Sequence, residues 1–301
     1  MDTNAKPELA MIPNISDYKV IEEIEEGSSG DKKYKLQKNN KFYLLRVGDK
    51  SAVDIKRKEF ERLGLLAATD VRTHMPIDFG VIGDIFYSIV SWVDGASVMD
   101  VIKSDLSKSY YELGRKAGIE LRKIHSISTD NIGGNWFSFI CEKANSILQI
   151  CNNVDIGDIG NKAKSYMLNN LDLAKNRSCV LLHGDYHWGN CVLNDKGEIG
   201  VIDFSGDSSG DPWYEFGGMV WVLEYSEDFA NGQLDGYFNT VPDEFWRVFK
   251  LYIAIYAFEH LAKNSNNIEN CKMNAVRILQ LFGEDFSADV PLFRNNKCIF
   301  T

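Results

Sequence analysis

Cysteine is scarce in this 301-residue sequence, and its six copies are not spaced like metal ligands. No two of them form a C-x-x-C pair, and both Cys179 and Cys191 lie inside apolar runs, where cysteine packs as a small hydrophobe. This distribution argues against a zinc ribbon or a disulfide framework as the basis of the fold. We therefore expect free thiols.

Long apolar runs are also missing. The longest stretches, such as LYIAIYAF at 251–258, are too short to cross a bilayer. The first residues, MDTNAKPELA, contain neither the basic region nor the apolar region of a secretory signal. We therefore expect a cytosolic protein that has no membrane partner.

Positive charge is in deficit, since 33 lysines and arginines face 43 aspartates and glutamates, for a net charge of -10. A protein that holds nucleic acid through phosphate contacts needs a basic surface, so we expect no nucleic-acid partner. An acidic surface is compatible with a cationic ligand, and it also serves solubility alone.

The first third of the chain alternates short β-rich runs with turn residues. YKVIEEIEE, KYKLQ and FYLLRV predict an antiparallel meander, and helical spacing of apolar residues follows at about 53–66. IDFGVIGDIFYSIVSWV predicts two more strands around Gly83-Asp84. The sequence therefore predicts a small antiparallel sheet crossed by one helix, in a first part of the chain at 1–91.

The remainder, at 92–301, is predominantly helical in pattern. The run SKSYYELGRKAGIELRKIH has one apolar face, and further helical segments lie near 158–175, 215–226, 243–263 and 271–282. One β-rich island, at 179–204, interrupts them. A sheet-rich part followed by a helical part predicts a cleft between the two.

The island contains the residues that point to chemistry. An apolar strand ends at His183, Asp185 and Asn190 follow in a loop, and a hairpin around 194–197 leads to Asp203. If residues 193 and 198 pair across this turn, Asn190 lies opposite about residue 201, and Asp203 returns to the loop. An alternative is that the loop residues only cap a turn, but capping does not explain the spacing to Asp203.

Two carboxylates and an amide oxygen form a hard, oxygen-rich set of the kind that Mg²⁺ prefers when phosphates complete its coordination. The spacing H-x-D-x-x-x-x-N, followed by a second Asp after a hairpin, is also typical of kinases. In that arrangement Asp185 orients the acceptor hydroxyl, and Asn190 and Asp203 hold the metal. We expect His183 and His187 to be structural residues.

At these residues the chain resembles a known family. HGDYHWGN followed by VIDF is similar to the aminoglycoside phosphotransferase family, which is related to choline kinases. The helix ELGRKAGIELRKIHSI, the strand–Gly-Ser-Ser–strand opening and GDPWYEF occur in the family's order, so the resemblance covers roughly 18–260. It implies an α+β, bilobal protein-kinase-like fold with a nucleotide-binding part at 1–91 and a catalytic, acceptor-binding part at 92–301. It also implies that Asp185 is the catalytic base and that Asn190 and Asp203 are magnesium ligands.

The nucleotide side of the predicted cleft has two features. Gly27, Ser28 and Ser29 lie between two strands, where they either approach phosphates or form a plain hairpin loop. Where the family has a lysine paired with a helix glutamate, this chain has Arg46, with Glu59 as the best partner, Glu61 as a lesser one, and a surface ion pair as the alternative.

The base of the nucleotide is expected at a connector of three residues, Ser91, Trp92 and Val93, whose backbone groups can contact its edge. Backbone contacts leave no mark in the sequence. The sequence is therefore compatible with either ATP or GTP as the phosphate donor.

The acceptor side is expected in the C-terminal helices. Residues 215–260 contain eight acidic residues against Arg247 and Lys250, with aromatic residues interleaved. This composition favours a small cationic acceptor, with Asp211, Glu215 and Glu224 as candidate contacts. The alternative is that these helices have aromatic cores and acidic faces exposed to solvent, which gives the same composition.

The leading hypothesis is therefore magnesium-dependent O-phosphorylation of an aminoglycoside-like polycation by a monomer. The alternatives are a kinase for another small alcohol or amine, such as a macrolide, a choline-like compound or a metabolite, and a nucleotide-binding pseudokinase. A protein kinase is disfavoured because the chain has IDFSGD and GDPWYEF in place of the D-F-G and A-P-E segments.

Overall fold

The computed structural model describes residues 7–25, 30–129, 135–204, 209–263 and 267–295. The chain forms two compact units, the first made of Met1–Ser97 with Asn190–Asp207 and the second of Val98–Gly189 with Ser208–Thr301. Part of the β-rich island therefore belongs to the first unit. The functional division between residues 91 and 92 stays a prediction.

The strands and helices are numbered in chain order. The strands are β1 (Lys19–Ile24), β2 (Lys32–Lys38), β3 (Lys41–Asp49), β4 (Pro76–Ile82), β5 (Ile85–Ser91), β6 (Ala96–Ser97), β7 (Val180–Leu181), β8 (Cys191–Leu193), β9 (Ile199–Val201) and β10 (Ser209–Gly210). The α-helices are α1 (Pro7–Ala10), α2 (Val53–Leu66), α3 (Val98–Ser104), α4 (Tyr111–Ile124), α5 (Trp136–Ile150), α6 (Gly157–Asn170), α7 (Glu227–Phe238), α8 (Asp243–Lys263) and α9 (Ile268–Leu279).

The first unit contains the predicted antiparallel sheet, in the order β1-β2-β3-β5-β4. A two-residue turn joins β2 to β3, and both its residues, Asn39 and Asn40, have positive φ (52° and 59°), as a type I′ turn requires. Helix α2 packs on β4 and β5, where the ring of Phe60 lies 5.5 Å from that of Phe79. The predicted small sheet with one helix is confirmed.

The two faces of this sheet have different roles. On one face Tyr34, Leu36 and Leu45 are fully buried in a core that includes Leu9 and Ile12 of the N-terminal segment. The other face carries Lys33, Lys35 and Gln37 of β2, and Arg46 beside apolar residues of β3. Strand alternation therefore places one row in the core and the other row where a ligand can meet it.

The β8–β9 hairpin pairs one residue away from the predicted register. Leu193 lies opposite Ile199 rather than Glu198, because Asn194 pairs with Glu198 across a three-residue loop whose last residue, Gly197, has a φ of +73°. Asn190 therefore pairs with Ile202, whose N–H donates to the Asn190 carbonyl at 2.9 Å. The one-residue shift matters because neighbouring strand residues face opposite sides.

The second unit is mostly helical, as predicted, with α8 passing through its core. The predicted helix near 215–226 is instead a 3₁₀ helix at Pro212–Trp221, and α5 and α7 were not predicted. Shorter 3₁₀ helices lie at Leu171–Ala174 and Gln280–Phe282. Among the described residues, none of the helices is both long enough and apolar enough to span a bilayer. The five cysteines within the described ranges are free thiols.

Helices α4 and α7 run in the same direction and touch backbone to backbone. A Cβ atom at any of four glycines would lie only 2.0 to 2.1 Å from a carbonyl oxygen of the other helix. These glycines are Gly114, Gly118, Gly232 and Gly236. No larger residue fits between the two helices without separating them.

We expect Gly118→Ala to destabilise the chain by about 1–3 kcal/mol, since its methyl group would overlap the Gln233 carbonyl oxygen. Urea unfolding followed by circular dichroism measures this loss. Gly64→Ala on the exposed side of α2 is the matched control, because nothing lies within 4 Å of its Cβ position. The control should be neutral or more stable by about 0.5–1 kcal/mol, and equal stability of the two variants would contradict the close crossing.

Candidate active site

Asp185 lies on the loop between β7 and β8 in the second unit. Its side chain is 62% exposed, so the carboxylate is accessible to a substrate. Its backbone N–H donates to Nδ1 of His183 at 3.2 Å, and Gly184 has a φ of +88°, a conformation that favours glycine. Local hydrogen bonding therefore shapes the loop while leaving its carboxylate exposed.

The loop is attached to the interior by Glu215. The two oxygens of this buried carboxylate accept the backbone N–H groups of His183 and Gly184, each at 2.6 Å. Nε2 of His125, at the end of α4, lies 3.0 Å from the same carboxylate and donates to it. The hydroxyl of Tyr237 on α7 then meets Nδ1 of His125 at 2.9 Å. Two helices and the 3₁₀ helix thereby fix the segment that carries Asp185.

This arrangement decides the ionisation of Glu215. Burial by itself would raise its pKa, but the hydrogen bond and charge of His125, together with His183, lower the pKa below the ordinary 4.5. The carboxylate is therefore ionised in the folded chain at neutral pH.

His187 lies next to Asp185, and Tyr256 is within electrostatic range of it. Nδ1 of His187 accepts the N–H of Gly189 at 2.9 Å, so in the neutral ring Nε2 carries the hydrogen, 3.6 Å from the Asp185 carboxylate. Burial raises the pKa of Tyr256, and the charge of Asp185 adds to this effect, while Nε1 of Trp221 donates to the Tyr256 hydroxyl at 2.9 Å. Both His187 and Tyr256 are therefore within electrostatic range of the exposed carboxylate.

In the first unit, Asn190 and Asp203 flank the two ends of the β8–β9 hairpin. Asp203 has a φ of +60°, a left-handed conformation that aspartate tolerates better than most residues. The part of the chain described by the structure contains no group of three histidine, cysteine, aspartate or glutamate side chains that could hold a metal. An amide and a carboxylate suit Mg²⁺, which takes few protein ligands and completes its shell with phosphates and water.

The acidic partner of Arg46 is Asp203, and the predicted pairing with Glu59 is wrong. The Arg46 guanidinium contacts the Asp203 carboxylate directly. Glu59 instead accepts from Lys56 at 3.0 Å, one turn earlier on α2, and Lys56 also lies 3.4 Å from Asp31. A lysine three residues away on the same helix satisfies the glutamate locally.

The Arg46–Asp203 pair lowers the pKa of Asp203. Burial alone would raise it, but the charge and hydrogen bond of Arg46 outweigh burial, with smaller contributions from Lys33 and His74. Arg46, Lys56, Glu59 and Asp203 all line one cavity of the first unit, together with apolar residues of β3, α2 and β5.

The connector residues already have backbone partners. The N–H of Ser91 donates to the Met75 carbonyl at 2.8 Å, and that of Trp92 donates to the Phe42 carbonyl at 3.0 Å. The Ser91 carbonyl accepts from Nδ1 of buried His74 at 2.7 Å, and burial lowers the pKa of His74 to about 4. A base contact through these groups would have to replace such bonds. The other predicted phosphate-side residues, Gly27, Ser28 and Ser29, lie outside the described residues.

Two of the predicted acceptor contacts are buried, which corrects their assignment. Asp211 is 0% exposed and holds Arg177 at 2.6 Å and the hydroxyl of Tyr252 at 2.7 Å. Glu215 serves the loop described above. Their carboxylates are fully used inside the fold, so neither reaches an acceptor. Glu224 is paired with Arg277, and its role in acceptor binding stays a prediction.

Cations from outside the 215–260 segment neutralise much of its acidity. Asp235 pairs with Arg294 at 2.5 Å, and Glu259 pairs with Lys143 at 2.9 Å. With Glu224 on Arg277 as well, these acids form internal ion pairs rather than one open acidic surface. A count along the sequence could not detect them, because the partners are distant in the chain.

Comparisons with known proteins identify the family and similar folds. The model of the phosphotransferase enzyme family matches residues 20–248. No curated protein matches the sequence. Similar solved structures include a thermostable mutant of aminoglycoside phosphotransferase APH(4)-Ia with AMP-PNP and hygromycin B, at a TM-score of 0.68 and 15% identity, covering 90% of this chain and 96% of that one.

A second similar structure is the gentamicin complex of APH(2″)-IIa, at a TM-score of 0.63 and 17% identity, covering 95% of this chain and 98% of that one. APH(2″)-IIa also matches in a ternary complex with streptomycin and ATP, at a TM-score of 0.62 and 17% identity, covering 93% of this chain and 96% of that one. The family resemblance and the fold class expected from the sequence are confirmed.

We expect Glu215→Gln to lower the free energy of unfolding by about 2–3 kcal/mol at pH 7, because a buried charge-assisted hydrogen-bond set is broken. The lowered pKa of Glu215 stabilises the fold above about pH 4.5, and this contribution is lost as pH falls through the folded-state pKa. The deficit of the variant should therefore shrink on acidification.

Urea midpoints measured from pH 3 to pH 7 test this. Glu244→Gln is the control, since the Glu244 side chain is 72% exposed and lies 3.9 Å from the guanidinium of Arg177. A Glu215→Gln deficit that stayed constant with pH would show that the carboxylate charge does not hold the loop.

Proposed function

Because the chain belongs to the phosphotransferase enzyme family, we propose that it transfers the γ-phosphate of ATP or GTP to a hydroxyl group of a small cationic molecule, most specifically an aminoglycoside. The observation that carries the proposal is the position of Asp185, which is an exposed carboxylate on a loop fixed from inside by Glu215. Such a group can meet a substrate without being displaced by it.

Asp185 takes the catalytic role in this proposal. Its carboxylate accepts a hydrogen bond from the acceptor hydroxyl and orients the oxygen toward the γ-phosphorus. A new oxygen–phosphorus bond forms while the bond from the γ-phosphorus to the bridging oxygen breaks. The hydroxyl proton passes to Asp185, and the nucleoside diphosphate leaves with the electron pair. Nε2 of His187 lies 3.6 Å from the carboxylate, and its N–H stabilises the negative charge.

The nucleotide side is assigned to the first unit. Asn190 and Asp203 would hold Mg²⁺, whose charge stabilises the phosphates when it is bound. Arg46 would then contact the phosphates with the guanidinium that pairs with Asp203. Val93 and the carbonyl of Trp92 are proposed to contact the base, with Gly27, Ser28 and Ser29 near the phosphates. The division at residue 91 into nucleotide-binding and acceptor-binding parts belongs to the same proposal.

A cationic acceptor is supported by two facts. The chain carries a net charge of -10. The similar solved structures hold hygromycin B, gentamicin or streptomycin. The internal ion pairs of the 215–260 segment weaken the argument from local composition, so the acceptor class depends on these two facts and on the experiment below.

Asp185→Asn should reduce turnover by about 10²- to 10⁴-fold and leave nucleotide affinity close to that of the wild type, because it removes the proton acceptor and keeps the shape. Nucleoside diphosphate release and calorimetric nucleotide binding measure the two effects. Asp195→Asn, on the exposed turn of the β8–β9 hairpin, is the matched control and should retain turnover. Wild-type turnover in Asp185→Asn would remove the assignment.

The acceptor class is tested by phosphate transfer from ATP and from GTP, with and without Mg²⁺. The panel contains aminoglycosides, macrolides, choline-like amines and neutral sugars, with phosphorylated product detected by mass spectrometry. We expect product with aminoglycosides only, and an apparent KM that rises with salt, since exposed charges are screened over about 8 Å at physiological ionic strength. Turnover of only a neutral or anionic alcohol would contradict the cationic acceptor, and nucleotide binding without any transfer would favour the pseudokinase.

A further inference from the structure

A second positive side chain stands beside Arg46 on the sheet of the first unit. Strands β2 and β3 pair so that Lys33 is directly opposite Arg46. Directly opposite residues of antiparallel strands project from the same face. We propose that Lys33 binds the nucleotide phosphates together with Arg46, an inference that rests on the proposed function.

Lys33 is withdrawn from solvent to an unusual degree for a lysine, with 8% of the residue exposed. A buried ammonium group is unfavourable unless negative charge lies close to it. Burial and the charge of Arg46 lower the pKa of Lys33, while Asp203 and Asp31 raise it. The ammonium group is therefore within the electrostatic reach of the carboxylate that contacts Arg46.

Among the residues that the structure describes, the charged side chains joined here by ion pairs and charge interactions are of both signs in equal number. They are Lys33, Arg46 and Lys56 against Asp31, Glu59 and Asp203. If the Asp203 carboxylate binds Mg²⁺, it no longer neutralises Lys33 and Arg46. Nucleotide phosphates keep a net negative charge in their magnesium complex, so they would restore the balance at this face.

Two neighbouring lysines occupy different places. Lys56 lies between Glu59 at 3.0 Å and Asp31 at 3.4 Å, which ties α2 to the start of β2. Lys35 is two residues along β2 on the same face, but its Nζ lies 4.6 Å from the centre of the Trp92 ring. Lys33 is therefore the lysine that the strand register puts beside Arg46.

The two cations would divide a task that the family gives to one strand lysine. Arginine offers a planar fork that binds two oxygens at once, whereas lysine is a compact point charge. The arginine head is longer and planar, so its charge does not have to lie where the ammonium group of the family's lysine would lie. A lysine on the adjacent strand can supply that point charge.

Calorimetric titration of the Lys33→Met variant in the presence of Mg²⁺ tests the proposal. The quantity compared is the dissociation constant of the nucleoside divided by that of the nucleoside triphosphate. Adenosine and ATP, or guanosine and GTP, share every contact except those of the phosphates. Loss of one charge-assisted contact should lower this ratio by about 10- to 100-fold. Lys33→Arg should recover part of it, and Lys32→Met, one residue away on the opposite strand face, should leave the ratio within about 2-fold of the wild type.

A purely structural role of Lys33 would weaken nucleoside and triphosphate binding in proportion, so an unchanged ratio in Lys33→Met overturns the proposal while the proposed function stands. Lys33→Gln gives the same comparison if the methionine variant does not fold. If the wild type binds neither triphosphate, the proposed function and the role of Lys33 both fail.

Discussion

The structure of the candidate site depends on one buried carboxylate. Glu215 accepts two backbone N–H groups from the loop of Asp185 and one hydrogen bond from His125. A buried carboxylate is stable only when its oxygens accept hydrogen bonds. Moving the loop away would leave the charge of Glu215 buried without two of its donors, which is unfavourable. The exposed position of Asp185, the orientation of His125 and its contact with Tyr237 all follow from this requirement. The residue expected to bind substrate instead supports the residue expected to perform the chemistry.

The first unit solves a different electrostatic problem. Positive and negative side chains from β3, α2 and the segment after β9 neutralise one another in pairs, with Arg46 on Asp203 and Lys56 on Glu59. Each pair is partly withdrawn from water, where the cost of desolvation offsets much of the attraction. Such pairs contribute little net stability and can exchange partners with a charged ligand at small cost. This property suits a surface that has to bind and release highly charged molecules.

Sequence reasoning was accurate where the signal is local. Apolar periodicity located α2, α4 and α8, and the ordered motif from His183 to Asp203 predicted the family. It failed where the outcome depends on partners distant in the chain. The pairing of Arg46 and the burial of Asp211 follow from such tertiary contacts. The β8–β9 register was missed for a local reason, because the turn residues do not distinguish a three-residue loop from a four-residue one. Lys33 had a signal in the β2–β3 register, which the Asn39-Asn40 turn determines.

The glycine contact of α4 with α7 determines how accurately the loop that carries Asp185 is held. His125 follows the last residue of α4 and Tyr237 lies near the end of α7, so the spacing of the two helices sets the hydrogen bond between them. Because backbone meets backbone at this crossing, no side-chain rotamer can lengthen or shorten that spacing. The position of the loop can therefore vary only as far as the packing of the two main chains allows.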